Sequence, residues 1–389
     1  MSGAPQRPRV VLVRGHQSNS WHLRPWRHLC DDYDVVSLET ASNWFDTESI
    51  GFASERALAL RDLLPRGPLG HALTRLPGDR YLRPVRHLRG ADIVHSQDLG
   101  FWYSMQAARL KPRLGYKLVL TVWETIPFRE AYRNIRTRPY RRLVLERTDL
   151  FLAATERARA SLLLEGAPAA RIRVCAPGVA DELFTSGEPE AQPPREHLLL
   201  SVGRLVWEKG HQDLLRAVAA LRADADTAER LPPLRVLIVG DGPERARLLR
   251  YARELGIADA VEVRAGVPYA EIGPIYARAS CLVLGSLPVW SWEEQFGMVA
   301  VEAMFAGLEV LASSSGALPE VTRGAATLFA PGDWVGLAKA LARGPLARAP
   351  GARVEHDPLV LEHYSARAAA ARLAAAYDEV LGRGAFAQA

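Results

Sequence analysis

Two cations and two carboxylates in the second half of the sequence are of types suited to one long ligand, the cations to an anionic leaving group and the carboxylates to hydroxyls. Arg204 and Lys209 lie in Val202-Gly203-Arg204-Leu205-Val206-Trp207-Glu208-Lys209-Gly210, which follows a strand-like run and precedes a helical one. Gly203 and Gly210 permit close approach of the backbone, while the two side chains act as fixed positive charges. Positive charge aimed at an oxygen that gains charge as a bond breaks lowers the barrier, by on the order of 3 kcal/mol per contact. A departing diphosphate would use both cations. Glu294 and Glu302 lie in the second segment, Trp292 to Gly307. There Gly297 is expected to open a helix, leaving the amides of Phe296, Gly297 and Met298 as donors at a positive dipole end suited to phosphate. Eight helical residues rise roughly 12 Å, too far for the carboxyl pair of a glycosidase, which sit about 5 to 9.5 Å apart. The glutamates therefore read as anchors at opposite ends of a long ligand.

The elements that must position these groups alternate in type. Short apolar runs at Arg9–Val13, Val35–Leu38, Asp92–His95, Lys117–Val122, Leu150–Ala153 and Arg171–Val174 are separated by segments of helical period. The pattern restarts after 185–195, rich in proline, glycine and charge, with strand-like runs at His197–Val202, Leu234–Val239, Ala260–Val263, Cys281–Leu284 and Glu309–Ala312. Helical stretches are expected at Gln212–Leu221, Glu244–Glu254 and Met298–Ala306. The fold class is α/β: two doubly wound, Rossmann-like domains whose strand ends face one cleft. The expected division is an N-terminal domain over 1–184, a linker over 185–195, a C-terminal domain over 196–365, and a helix over 366–389 returning to the first domain.

A length of 389 residues with 48% hydrophobic and 24% charged side chains suits two soluble domains. No run approaches the length of a membrane span, and the N-terminus lacks the apolar core of a signal peptide, so a cytoplasmic protein is expected. The net charge of +5 divides into +9 over residues 1–184 and −4 over the remainder. Much of the excess lies in Arg61–Arg89 and Arg129–Arg147, runs that face either solvent or anionic lipid headgroups. Cys30, Cys175 and Cys281 are odd in number and far apart, which indicates buried thiols rather than disulfides or a metal site. Asp32-Tyr33-Asp34 has the spacing of an acidic metal motif but stands at the entrance of an apparent edge strand, and reads as a solvated turn. Gly240-Asp241-Gly242 lacks the third glycine of a dinucleotide fingerprint.

Glu294 and Glu302 in this setting, with Gly203, Arg204 and Lys209 upstream, resemble the family 4 glycosyltransferases. Val239-Gly240-Asp241-Gly242-Pro243, Tyr276, Ser315-Gly316 with Pro319-Glu320, and Pro331-Gly332-Asp333 extend the match, and Pro177-Gly178-Val179 with Phe184 is similar to that family's domain-closing signature. The resemblance implies a GT-B fold and metal-independent, retaining transfer of a hexose-type sugar from a nucleotide-diphosphate donor. It implies catalytic roles for Arg204, Lys209 and Glu294, with Glu302 on ribose hydroxyls and Glu294 on hydroxyls of the transferred sugar. Gly203, Phe296, Gly297, Met298 and Val267 complete the donor-binding set. No cofactor beyond the sugar donor is expected, and no nucleic acid.

Three positions depart from the family pattern: Glu309 replaces a proline, Ala180 an acidic residue, and Gln97 a histidine near the transferred sugar. Gln97 exchanges hydrogen bonds but carries no proton, and His95 reads as a structural residue at a strand end. Gly15, His16, Gln97, Trp123 and Glu124, at ends of first-domain strands, are the expected acceptor-binding groups. Sugar, lipid-linked and small-molecule acceptors all remain open, as does peripheral contact with a membrane through the basic half. A nucleotide-sugar epimerase and a non-catalytic sugar-nucleotide-binding subunit are the rival readings.

Overall fold

A computed structural model describes residues 7–65 except 44, 46 and 48, residues 69, 70 and 73, and residues 78–129, 138–185, 194–224, 229–230 and 232–384. Nearly all of the expected linker, residues 186–193, lies outside them, as do Arg66, Arg75, Arg133 and Arg136 of the basic runs.

The chain forms two compact units, Met1–Val179 with Ser365–Ala389, and Ala180–Tyr364. The division comes five residues before the expected one, so Ala180–Phe184 group with the second unit. Their helix Glu182–Thr185 buries Phe184 edge-on against Tyr269 and Tyr276, ring centroids 6.2 and 5.1 Å away.

In the first unit seven parallel strands take the order β3-β2-β1-β4-β5-β6-β7. They are β1 (Arg9–Gly15), β2 (Asp34–Thr40), β3 (Ala53–Ala57), β4 (Ile93–Gln97), β5 (Lys117–Val122), β6 (Leu150–Ala153) and β7 (Ile172–Val174). Each central strand is apolar on both faces because helices cover both. One face carries Val11, Val94, Leu118 and Phe151 against the helix Trp102–Leu114, and the other carries Val10, Leu12, Ile93 and Val119. The terminal helix Ala366–Leu381 closes that second face with Leu373, Ala376 and Tyr377. Ser365 starts it by accepting from the Ala368 amide, and Gly382 ends it in a left-handed conformation. Gly178 is a glycine because a Cβ there would stand 2.6 Å from Ala369 Cβ and 2.7 Å from the Ser365 carbonyl. Since β3 pairs outside β2, Asp32 and Asp34 stand at an inner strand rather than at an edge.

In the second unit six parallel strands take the order β10-β9-β8-β11-β12-β13. They are β8 (His197–Val202), β9 (Leu234–Val239), β10 (Val261–Arg264), β11 (Cys281–Leu284), β12 (Glu309–Ser313) and β13 (Ala326–Phe329). Their core is built from Leu199, Val236, Ile238, Val283 and Leu311, packed on the helices His211–Ala223 and Trp334–Arg343. Chain order reverses at β1 between β2 and β4, and again at β8 between β9 and β11. Open parallel sheets bind ligands at the carboxyl ends of strands beside such a reversal. Cys175 and Cys281 are buried free thiols, with burial raising the Cys175 pKa to about 11.

Candidate active site

In the second unit the reversal places the loop after β8 beside the loop after β11. The first loop bends through Gly203 and closes at Gly210, whose φ of +70° and position allow no side chain: a Cβ would lie 1.8 Å from the Gly285 carbonyl. Leu205 donates its amide to Asp241 O and accepts from the Glu244 amide through its own carbonyl, which ties the loop to the turn after β9. His211, buried just after Gly210, donates from Nε2 to the Arg204 carbonyl at 3.1 Å, with Nδ1 3.0 Å from Ser201 Oγ. Burial lowers its pKa to about 4, so the imidazole is neutral and one nitrogen must accept. The result is a fixed main chain under Arg204, whose side chain is exposed and forms no ion pair among the described residues.

Lys209 and Glu294 meet across the two loops. Lys209 Nζ donates to both carboxylate oxygens, at 3.0 and 2.8 Å, Ser286 Oγ donates to Oε2 at 2.6 Å, and the ammonium lies 4.9 Å from the Trp292 ring centroid. One ammonium proton and lone pairs on Oε1 remain for a ligand. Glu294 is itself fixed by its backbone: its carbonyl accepts from the Ala317 amide, and a Cβ on Gly316 would stand 2.1 Å from that oxygen. Three residues on, Gly297 adopts φ +88° and begins the helix Met298–Phe305, which no side chain caps. The first-turn amides of such a helix have no intrahelical acceptor and point at whatever stands before them. The Phe296 side chain does not take part; it is buried edge-on against Tyr364.

Glu302 lies within that helix, 4% exposed, and both its oxygens accept from tyrosines, Tyr269 at 3.1 Å and Tyr276 at 2.7 Å. Burial drives its pKa up to about 7 even though both hydrogen bonds oppose the rise. Val267, half-buried in the loop after β10, lies two residues before Tyr269. The fold thus gathers Gly203, Arg204, Lys209, Glu294 and the amides around Gly297 at the carboxyl ends of β8 and β11, with Glu302 deeper in the helix.

The first-unit groups are more heavily engaged. His16 Nδ1 is 2.8 Å from Asp79, which also accepts from Tyr103 at 2.7 Å. Burial opposes ionisation of Asp79, and these two hydrogen bonds outweigh it, holding the carboxyl below its usual range. Gly15 has φ +60° over the Tyr103 ring and donates its amide to Tyr81 Oη. Gln97 Nε2 lies 3.4 Å from Gln17 Oε1, and Trp123 stacks on His22 at 4.6 Å between centroids. Glu124 pairs with Arg129 at 2.9 Å and accepts from the Ile126 amide. His95 is structural, with Nδ1 on Tyr377 Oη and Nε2 on Thr121 Oγ1, both at 2.7 Å.

Ser286, Trp292, Tyr269 and His211 escaped the reading of the sequence. Ser286 and Tyr269 closely follow the strands β11 and β10, while Trp292 and His211 adjoin the segments around Glu294 and Lys209, and that placement was the available signal. Among the described residues no group of three His, Cys, Asp or Glu side chains is arranged to hold a metal ion.

Comparison with known proteins bears on the family and the fold. The family model "Glycosyl transferases group 1" matches residues 186–344, and "Glycosyltransferase Family 4" matches residues 31–183. A D-inositol 3-phosphate glycosyltransferase of Gordonia bronchialis is 34% identical over 65% of this chain, which spans 58% of that relative's length. D-inositol 3-phosphate glycosyltransferase 2 of Catenulispora acidiphila is 32% identical over 75% of this chain and 70% of its own length. Among solved structures, a sucrose-phosphate synthase from Thermosynechococcus elongatus superposes with a TM-score of 0.74 over 97% of this chain and 100% of that one, at 20% identity. The two doubly wound sheets are those of the GT-B fold, and the chain belongs to glycosyltransferase family 4.

Proposed function

We propose that this protein is a retaining glycosyltransferase that moves a hexose-type sugar from a nucleotide-diphosphate sugar to an acceptor hydroxyl. The observation that carries the reading is the Lys209–Glu294–Ser286 cluster beside the uncapped helix start at Gly297, with Arg204 exposed at the next strand end. Arg204, Lys209 and the amides around Gly297 hold the diphosphate and take up its charge as the glycosidic bond breaks. Glu294 accepts from hydroxyls of the sugar, and Glu302, freed from one tyrosine, from the ribose, while Val267 gives the donor an apolar contact. The acceptor hydroxyl attacks from the face the diphosphate leaves, and its proton passes to the departing phosphate oxygen. No metal is needed, because two cations and a helix terminus supply the positive charge.

Gly15, His16, Gln97, Trp123 and Glu124 form the acceptor side, and the names of the two relatives favour a phosphorylated polyol. The test is a transfer assay in EDTA with a panel of nucleotide sugars, with and without polyol and sugar-phosphate acceptors. Acceptor-dependent release of nucleoside diphosphate is expected. Conversion of the donor to an epimer without acceptor, or donor binding with no turnover across the panel, would replace this reading with one of its rivals.

The first unit also supports contact with an anionic membrane surface from the cytoplasmic side. Leu58, Leu63, Leu69, Leu73 and Leu82 are exposed, and Arg56, Arg80, Arg83, Arg86 and Arg89 share their segment. Backbone bonds from Leu82 to Leu58 and from Leu60 to Arg80 hold part of this surface together. Among the described residues no helix is long and apolar enough to cross a membrane. Co-sedimentation with phosphatidylglycerol vesicles, lost in phosphatidylcholine and at high salt, is the expected result; equal recovery with both lipids, or none with either, removes the idea.

A further inference from the structure

Arg14 is the last residue but one of β1, at the reversal point of the first sheet, and it is 5% exposed. Among the described residues it forms no ion pair, and its Nη1 is buried without a hydrogen-bond partner. A buried cation is ordinarily paired, and an unpaired one needs an explanation. Two carboxylates of this region are committed elsewhere: Asp79 holds His16 and Tyr103, and Asp98 accepts from the Trp123 and Glu124 amides. The guanidinium lies over Trp26, 5.4 Å from the ring centroid. Burial lowers the Arg14 pKa only to about 10, so the charge persists at neutral pH.

Groups that would complete an anion site lie in the loop that follows. The Gln17 amide donates to the Arg14 carbonyl, which turns the chain back, and the hydroxyls of Ser18 and Ser20 are then buried, at 0% and 1%, with no hydrogen-bond partner. Asn43 Nδ2 donates to the Ser18 carbonyl and joins this loop to the end of β2. His22, whose pKa burial and then the Arg14 charge drive down to about 3, is neutral and stacks on Trp123, one of the proposed acceptor groups.

We propose that Arg14, with the Ser18 and Ser20 hydroxyls, forms an anion-binding subsite in the first unit that selects acceptors bearing a phosphate or carboxylate group. This rests on the glycosyltransferase reading and adds to it the charge of the acceptor and the residue that reads it. A guanidinium fork donates two parallel hydrogen bonds to either anion, and the hydroxyls donate to its remaining oxygens.

The full-length protein, saturated with the nucleoside diphosphate that binds most tightly, is titrated with orthophosphate, glucose 6-phosphate, glucuronate and glucose by calorimetry. Wild type is expected to bind at least one anion at least about 10-fold more tightly than glucose, and Arg14→Met to lose that preference. Arg14→Met should still bind the nucleoside diphosphate and melt no lower than wild type, because methionine removes a buried charge that has no ion pair among the described residues. The phosphate and carboxylate arms separate the two chemistries. Anion binding unchanged in Arg14→Met, a lower melting temperature with unchanged binding, or glucose binding as tightly as the anions would each overturn the proposal. Should Arg14→Met not fold, Ser18→Ala/Ser20→Ala must weaken the same anion several-fold, and unchanged affinity overturns the proposal equally. Failure of wild type to bind any nucleoside diphosphate would instead count against the glycosyltransferase reading.

Discussion

Lys209→Met is expected to lower the rate of sugar transfer by about a thousandfold, with a much smaller change in apparent donor affinity. The ammonium is held by both oxygens of Glu294 and by the Trp292 face, so under the proposed function it would meet the departing diphosphate without reorganising. A charge fixed in advance acts mainly where new charge develops, in the transition state. Methionine keeps the volume and removes that charge, but it also leaves Glu294 buried with Ser286 as its remaining side-chain donor among the described residues. Because the two residues act as a unit, Lys209→Met/Glu294→Gln should be little slower than Lys209→Met alone. Single-turnover kinetics on wild type, Lys209→Met, Glu294→Gln and the double variant measures both effects; fully additive losses would mean that the residues serve separate steps.

Glu302→Gln should change how stability depends on pH. The folded carboxyl titrates near 7 because it is buried, whereas the unfolded one titrates near the ordinary 4.5. The folded state therefore holds the proton more tightly, and its contribution is fully present below pH 4.5. It is lost as pH rises through 7, for a total of about 3 kcal/mol. Glutamine keeps an oxygen for one tyrosine and does not ionise. Relative to wild type, Glu302→Gln should gain stability between pH 5 and 8 and level off above, as measured by urea unfolding across that range. Parallel curves would mean that the carboxyl ionises at its ordinary pH despite its burial.

The same two segments show why only part of the site was legible in the sequence. Strand type was readable where a run is apolar on both faces, as in Leu234–Val239 or Cys281–Leu284, because helices cover both sides of those strands. The outer strands β3, Ala-Ser-Glu-Arg-Ala, and β13, Ala-Thr-Leu-Phe, were missed because each is short and largely exposed, leaving no continuous apolar signal. Gly297 as a helix start was legible from glycine followed by an apolar run. The Lys209–Glu294 pair was not, since 85 residues separate its members and only the adjacency of β8 and β11 joins them. Glu302 reads from the sequence as an anchor for ribose hydroxyls, and its enclosure by Tyr269 and Tyr276, which pack on Phe184, is encoded by nothing local to it. Arg14 reads in the sequence as following a strand, because a buried charge with no ion pair among the described residues is visible only in the folded structure.

The central claim is that the diphosphate held by Arg204, Lys209 and the Gly297 amides leaves from the same face on which the acceptor attacks. Proton NMR of the first-formed product, taken before any anomeric equilibration, tests it most directly through the coupling constant at the transferred sugar's anomeric centre. The account predicts the donor's own anomeric configuration in a product that forms only when acceptor is present. An inverted anomeric centre, or a sugar altered without acceptor, would contradict it.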